Sequence, residues 1–257
     1  MALRNAAPAL EGHRLEVEVQ MSVAESSPTE PHAAKPCRRA AFYDVDGTLV
    51  RTNVVHAFAY YTLSHPSWQR KVFGMARLLA NIPVYLALDK FGRKAFNEYF
   101  YSGYKGFSED RLVVVGEEVL DKVMKPAIFP GVFDLVSRSK DQGVEQVIVT
   151  GALDYVAAPL ARHLGIEKWL ANRLEIVEDM ATGRLIPPLL AGPNKSLVIR
   201  EYGRAHDIDL DSSFAYADSF SDFPMLAMVG HPVAVNPDTK LRRIAEDYSW
   251  PVISVQS

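Results

Sequence analysis

Six side chains in this 257-residue sequence are of types that do chemistry, and each stands beside the end of an apolar run. Asp44 and Asp46 follow Ala40-Ala41-Phe42-Tyr43, with Gly47 behind them. Thr150 and Gly151 follow Val147-Ile148-Val149, and Asp218 with Asp222 follow Phe214-Ala215-Tyr216-Ala217. Lys195 opens a helical stretch after the proline-rich loop 186–193. Two carboxylates two positions apart can share nucleophilic and acid–base work or hold a hard cation, while a hydroxyl and an ammonium can receive an anion. Taken singly each signal is weak. An Asp-x-Asp is often a turn or a helix cap, a lone lysine is usually solvated, and Asp222 before Phe223-Pro224 is good capping chemistry. Lys and Arg number 28 against 31 Asp and Glu, a net charge of −3 that predicts no bulk attraction to nucleic acid. An anionic substrate must therefore be held by a local site.

The elements that would position these groups can be read from periodicity. The apolar run at 39–43 stops abruptly at acidic residues and a glycine, as a buried strand entering a loop does. From 54 to about 125 the spacing becomes helical and aromatic-rich, with Tyr60, Tyr61, Trp68, Phe73, Tyr85, Phe91, Phe96, Tyr99, Phe100 and Tyr104 placed to pack between helices. From 128 onward short strands (145–149, 213–217, 231–235) alternate with helical stretches (155–164, stopped by Gly165, and 223–229). That alternation predicts a parallel sheet covered on both faces, with ligands outside the carboxyl ends of the strands, where the six side chains fall.

Hydrophobic residues make up 48% and charged residues 23%, an ordinary globular balance. Residues 1–38 are the exception, without apolar periodicity and with Ser26-Ser27-Pro28-Thr29-Glu30-Pro31, and are expected to form a disordered leader; Met21 would open a more compact version of the chain. The single Cys37 excludes an intramolecular disulfide and a multi-cysteine zinc site, and fits a reducing compartment. With no signal-like apolar run in residues 1–20, a cytoplasmic setting is expected. The most apolar segment, 72–88, is broken by Arg77, Asn81 and Pro83 and is short of the ~20 residues that span a bilayer.

Apolar strand plus DVDGT, apolar strand plus TG, then Lys195, then apolar strand plus ADSFSD, in this order, resembles the haloacid dehalogenase superfamily of phosphohydrolases over roughly 39–255. Within it the chain resembles the phosphoserine-phosphatase-like branch, subfamily IB. The resemblance implies an α/β fold with a three-layer Rossmann-like parallel-sheet core at 39–53 plus 127–257 and an inserted C1-type helical cap at 54–126. It implies a Mg²⁺-dependent phosphomonoester hydrolase acting through an aspartyl-phosphate. Asp44 would be the nucleophile and Asp46 the acid, then the base. Thr150 would donate its hydroxyl to a phosphate oxygen, and Lys195 would neutralise both nucleophile and transferring group. Gly47 and Gly151 would join Asp46, Thr150 and Lys195 around the phosphate. Asp44, Asp46 and Asp218 would hold the metal, with Asp222 in support. The physical demand is clear: a phosphomonoester dianion repels a carboxylate nucleophile until cations and amide donors neutralise it, and hard oxygen ligands favour Mg²⁺.

The sequence also departs from the family pattern. Ala217 and Ser219 flank Asp218 where many relatives carry glycines. Seven positions beyond Asp46, where phosphoserine phosphatases carry a glutamate for the substrate's amino group, stands Asn53, so phosphoserine is disfavoured. His56, His65, His163, His206 and His231 lack metal-like spacing and are expected in capping, core or surface roles. The partner expected is a small phosphorylated substrate, with no nucleic acid. Three alternatives accompany this reading. One is a phosphotransferase whose cap excludes water. Another is a lipid-phosphate phosphatase whose cap, with Arg70, Lys71, Lys90, Arg93 and Lys94 flanking the apolar stretch, lies on a membrane surface without spanning it. The last is a non-catalytic phosphate-binding domain, which would not need an acid–base carboxylate two residues from a nucleophile.

Overall fold

The computed structural model describes residues 38–64, 67–80 and 93–256. The expected leader up to Cys37, Met21 within it, and the second half of the apolar stretch 72–88 lie outside these residues. The first strand, β1 (Ala40–Tyr43), has all four side chains fully buried, because it occupies the middle of a seven-stranded sheet ordered β4-β3-β2-β1-β5-β6-β7. Its parallel neighbours are β2 (Glu145–Leu153) and β5 (Phe214–Ala217), so Phe42 pairs with Val147 on one side and Ala215 on the other. β6 (His231–Val235) and β7 (Val252–Ile253) extend the sheet in parallel beyond β5.

Side-chain alternation along β1 divides the core in two. Ala40 and Phe42 face helices α7 (Pro193–Ala205), α8 (Phe223–Leu226) and α9 (Thr239–Asp247), packing with Ile199, Met225 and Leu241. Ala41 and Tyr43 face α5 (Val132–Asp141) and α6 (Asp154–Leu164), packing with Val132, Val136 and Leu160. The result is a three-layer α/β fold with a mostly parallel sheet, as the alternation predicts.

Two differences from the periodicity have local causes. β2 does not end at Val149 but runs to Leu153, with a register shift against β3 between Val149 and Leu153, so Thr150 and Gly151 lie in an irregular strand end. β3 (Lys168–Val177) and β4 (Met180–Ile186) form an antiparallel hairpin at the sheet edge. Its turn is Glu178-Asp179, both at positive φ (49° and 58°), a conformation that Asn-Gly or Asp-Gly normally announces. Glu-Asp gives no such signal.

Between β1 and β2 the chain is helical: α1 (Val54–Leu63), α2 (Trp68–Ala80), α3 (Arg93–Tyr101), a short 3₁₀ turn at Ser102–Tyr104, and α4 (Glu109–Val119). This segment leaves and re-enters the core at adjacent points, since Arg51 N–H donates to Ala127 O (2.9 Å) and Phe129 N–H to Leu49 O (3.1 Å). Its aromatics split. Phe58, Tyr61, Phe100, Tyr101 and Tyr104 form a buried cluster of tilted and edge-on rings, with Phe58 and Tyr104 centroids 4.9 Å apart, while Trp68 is 70% exposed. Asn53 caps α1: its side chain accepts from Val55 N–H (3.1 Å), and His56 Nδ1 accepts from the Asn53 N–H (3.3 Å).

Candidate active site

The ends of β1, β2 and β5 and the start of α7 meet at one pocket, of about 400 Å³, lined by Asp44, Asp46, Gly47, Gly151, Lys195, Asp218 and Asp222 among others. Asp44 is held where β1 ends by its own backbone, the N–H donating to Tyr216 O on the adjoining strand (3.0 Å). Beyond it the chain folds into a compact loop: the Thr48 and Leu49 amides return to Val45 O (3.2 and 2.9 Å), and Gly47 N–H goes to Val50 O (2.8 Å). Gly47 sits at φ +83°, and a Cβ there would lie 2.1 Å from Asp218 Oδ2. Only glycine both adopts that conformation and lets the Asp218 carboxylate come so near. Thr48 steadies that carboxylate, its hydroxyl 3.2 Å from Asp218 Oδ1.

Lys195 lies in the first turn of α7 and is 5% exposed. Its ammonium donates to Asp44 Oδ1 at 2.6 Å and to Asp222 Oδ1 at 2.8 Å. Asp222 occupies the capping position of α8 but makes no side-chain cap bond; its carboxylate goes to Lys195. The capping reading and the site reading of Asp222 are thus separated by where its oxygens point. Oxygens of Asp44, Asp218 and Asp222 lie within 4.8 Å of one another, a trio that could hold a cation. This differs from the metal set expected from the sequence: Asp222 stands in the converging trio where Asp46 was expected. Local sequence cannot distinguish a carboxylate aimed along a helix axis from one aimed across the pocket.

Charge crowding is heavy here. Burial, only partly offset by the Lys195 charge, raises the Asp44 carboxyl to about 6. Burial and then the charge of Asp44 raise Asp46 to about 8 and Asp218 to about 7. Burial opposes the Lys195 ammonium, but Asp222 and Asp44 outweigh it and raise its pKa. Three acids with depressed ionisation beside one firmly charged lysine leave the site short of positive charge.

Thr150 is fully buried, its Oγ1 accepting from Ala152 N–H (3.0 Å). The neighbouring Gly151 carbonyl receives two bonds that periodicity does not reveal, from Tyr101 Oη on α3 (2.5 Å) and from Asn172 Nδ2 on β3 (2.7 Å). Asn172, also fully buried, accepts with its Oδ1 from Leu190 N–H (2.8 Å), tying β2 to the loop that delivers Lys195. Asn172 and Tyr101 are site-building residues that the sequence reading passed over. Neither is marked by periodicity or by a motif, because each serves a backbone group supplied by a segment distant in sequence.

The model of the haloacid dehalogenase-like hydrolase family matches residues 41–227. The chain is 32% identical over 214 residues to phosphoserine phosphatase SerB1 of Mycobacterium tuberculosis, covering 83% of this chain and 70% of that protein. The crystal structure of a protein of unknown function from Bordetella pertussis Tohama I superposes with a TM-score of 0.75 at 24% identity, over 85% of this chain and 99% of that one. The structure of a phosphoserine phosphatase in apo form shares the fold at a TM-score of 0.62 and 15% identity, over 86% of this chain and 94% of that one.

Proposed function

The chain belongs to the haloacid dehalogenase-like hydrolase family, in its phosphoserine-phosphatase-like branch, and from that premise we propose that it hydrolyses a small phosphomonoester through an aspartyl-phosphate on Asp44, with Mg²⁺ as cofactor. The observation that carries this reading is the Lys195 ammonium seated between Asp44 and Asp222 at 2.6 and 2.8 Å, in a pocket where four carboxylates meet.

In the first half-reaction an Asp44 oxygen attacks phosphorus and the ester oxygen leaves, taking the proton of Asp46, which burial beside Asp44 keeps on the carboxyl near neutral pH. In the second, the Asp46 carboxylate removes a proton from water as that water attacks phosphorus, which releases inorganic phosphate and restores Asp44. Lys195, the Thr150 hydroxyl and the Val45 and Asp46 amides supply the positive charge and donors that the phosphoryl oxygens need. Gly47 serves the loop by conformation, its amide being spent on Val50.

The donor set fits a hard divalent ion: only carboxylate oxygens, three of them mutually close, with one ammonium to balance them. Asp44, Asp218 and Asp222 would hold it, and when bound Mg²⁺ would neutralise the nucleophile and the phosphoryl oxygens together. The division into a core at 39–53 plus 127–257 and a cap at 54–126, and a cytoplasmic setting, belong to this proposal. Phosphoserine is not the substrate in this reading, since the Asn53 amide is committed to capping α1. The lipid-phosphate alternative has one observation in its favour, the exposure of Trp68 (70%) and Val72 (58%) on α2. No helix among the described residues is long and apolar enough to cross a membrane.

A phosphate-release screen tests this, run with Mg²⁺ over a metabolite panel that includes a lysophosphatidate. Asp44→Asn should abolish turnover, and Asp46→Asn should lower kcat about 10²–10⁴-fold through lost proton transfer. Full activity of Asp44→Asn without metal would overturn the mechanism.

A further inference from the structure

The pocket has a second wall, made by the segment from Arg51 to Val55 and by Asn97 on α3. Asn97 lies one turn before Tyr101, whose hydroxyl bonds to Gly151 O at 2.5 Å, so the same helix face that anchors to β2 presents Asn97 at the pocket. The residue is 7% exposed overall, and among the described residues its carboxamide faces the open space of the pocket without a protein partner. A carboxamide on a cavity wall with no protein partner keeps two donors and an acceptor for a ligand.

The neighbouring polar groups do not compete for that ligand in the same way. Asn53 has its side-chain oxygen on Val55 N–H. Arg51 is exposed at the rim, with its guanidinium over the Phe129 ring at 5.2 Å and no ion pair among the described residues. Among the described residues it is the only formal charge lining the pocket outside the aspartate–lysine cluster. This wall therefore offers, among the described residues, a neutral amide and a cation, and no carboxylate.

Resting on the phosphatase reading, we propose that Asn97 is the specificity residue that reads the leaving group, that the group it reads is a hydroxyl, and that Arg51 meets an anionic end of the same substrate. An amide donates to and accepts from a hydroxyl equally well. An ammonium in that place would lose water beside Arg51 without gaining a counter-charge. The substrate class is a phosphorylated hydroxy acid or polyol acid free of amino groups.

Two pairs of esters isolate the two contacts. 3-Phosphoglycerate and phosphoserine share a skeleton and differ by hydroxyl against ammonium; 3-phosphoglycerate and glycerol 3-phosphate differ by the carboxylate. The kcat/KM ratio within each pair is measured on one enzyme sample, so it does not depend on the folded fraction. The wild type should prefer 3-phosphoglycerate to phosphoserine at least tenfold, and Asn97→Asp should move that ratio at least tenfold toward phosphoserine. Arg51→Glu, at an exposed position, should lower the 3-phosphoglycerate to glycerol 3-phosphate ratio at least fivefold. Hydrolysis of p-nitrophenyl phosphate by the wild type separates the two levels of the argument. No release from any ester overturns the phosphatase reading and this inference with it. Release from p-nitrophenyl phosphate overturns the inference alone if phosphoserine is preferred, if neither alkyl ester of the first pair is accepted, or if both variants keep their ratios within twofold of wild type.

Discussion

The two walls of the pocket are built on opposite terms. On the core wall the charged groups neutralise or restrain one another: Lys195 bridges Asp44 and Asp222, and Thr48 bonds Asp218. On the wall formed by the 51–55 segment and α3 the groups are neutral, open or solvent-facing, with Asn97 unbonded among the described residues and Arg51 at the rim. The difference teaches a division of labour. A phosphoryl group always brings the same charge, so the wall that receives it can be fixed in advance by bonds between strand ends. The leaving group varies, and the wall facing it keeps its bonding capacity free.

The sharpest way to break this contrast is to disturb the fixed wall without touching a charge. Gly47→Ala places a Cβ 2.1 Å from Asp218 Oδ2 at a φ of +83°, so the Asp218 carboxylate has to move. Activity should fall about 100-fold or more, as misplacement near 1 Å does. The Mg²⁺ concentration for half-maximal activity should rise, and stability should drop by about 1–3 kcal/mol from backbone strain. A metal titration and a thermal melt check this; normal Mg²⁺ dependence would show that Asp218 is not fixed by the loop.

A smaller effect is expected one layer out. Asn172→Ala removes the bonds to Gly151 O and Leu190 N–H, leaving the Leu190 amide buried without its acceptor. The Gly151 carbonyl keeps Tyr101. A cost of about 1–3 kcal/mol in stability follows from the orphaned donor. kcat should fall about tenfold with KM little changed, because Lys195 and Thr150 lose their common brace. Steady-state kinetics decide it: a change confined to KM would place Asn172 with the substrate-facing wall instead.

These residues also mark how far sequence carries. The placement of Asp44, Asp46, Lys195 and Asp218 on one pocket is legible because each follows or opens a strongly patterned element, whereas Thr150 is fully buried beside Gly151, which lines the pocket in its stead. Asp222 is half legible: its sequence neighbours make it a cap, and only the approach of α7 assigns its oxygens to Lys195. Asn172, Tyr101 and Asn97 are illegible by periodicity, since their role is to meet backbone or open space supplied by segments distant in sequence. The β3–β4 hairpin was hidden by a Glu178-Asp179 turn that takes positive φ without the usual glycine.

The mildest expected effect is on stability against pH, and it should separate the walls cleanly. Asp44, Asp46 and Asp218 are raised by burial to about 6, 8 and 7 from 3.8. In the metal-free chain the folded state therefore binds more protons than the unfolded state between about pH 4 and 8. Stability must then fall as pH rises through that window, because the slope follows the protons bound unfolded minus those bound folded. The raised Lys195 does not act there, its contribution being lost only above the ordinary lysine pKa. Melting temperature in chelator should decline from the acid to the alkaline end of the window, and saturating Mg²⁺ should flatten the decline by favouring the ionised carboxylates. Asp46→Asn should shallow the slope, since it removes the acid held furthest from its ordinary value. Asn97→Ser should leave it unchanged, since the second wall adds, among the described residues, only Arg51 to the pocket's charges. A slope that is flat without metal, or that follows Asn97, would mean the carboxylates are not the strained half of the site.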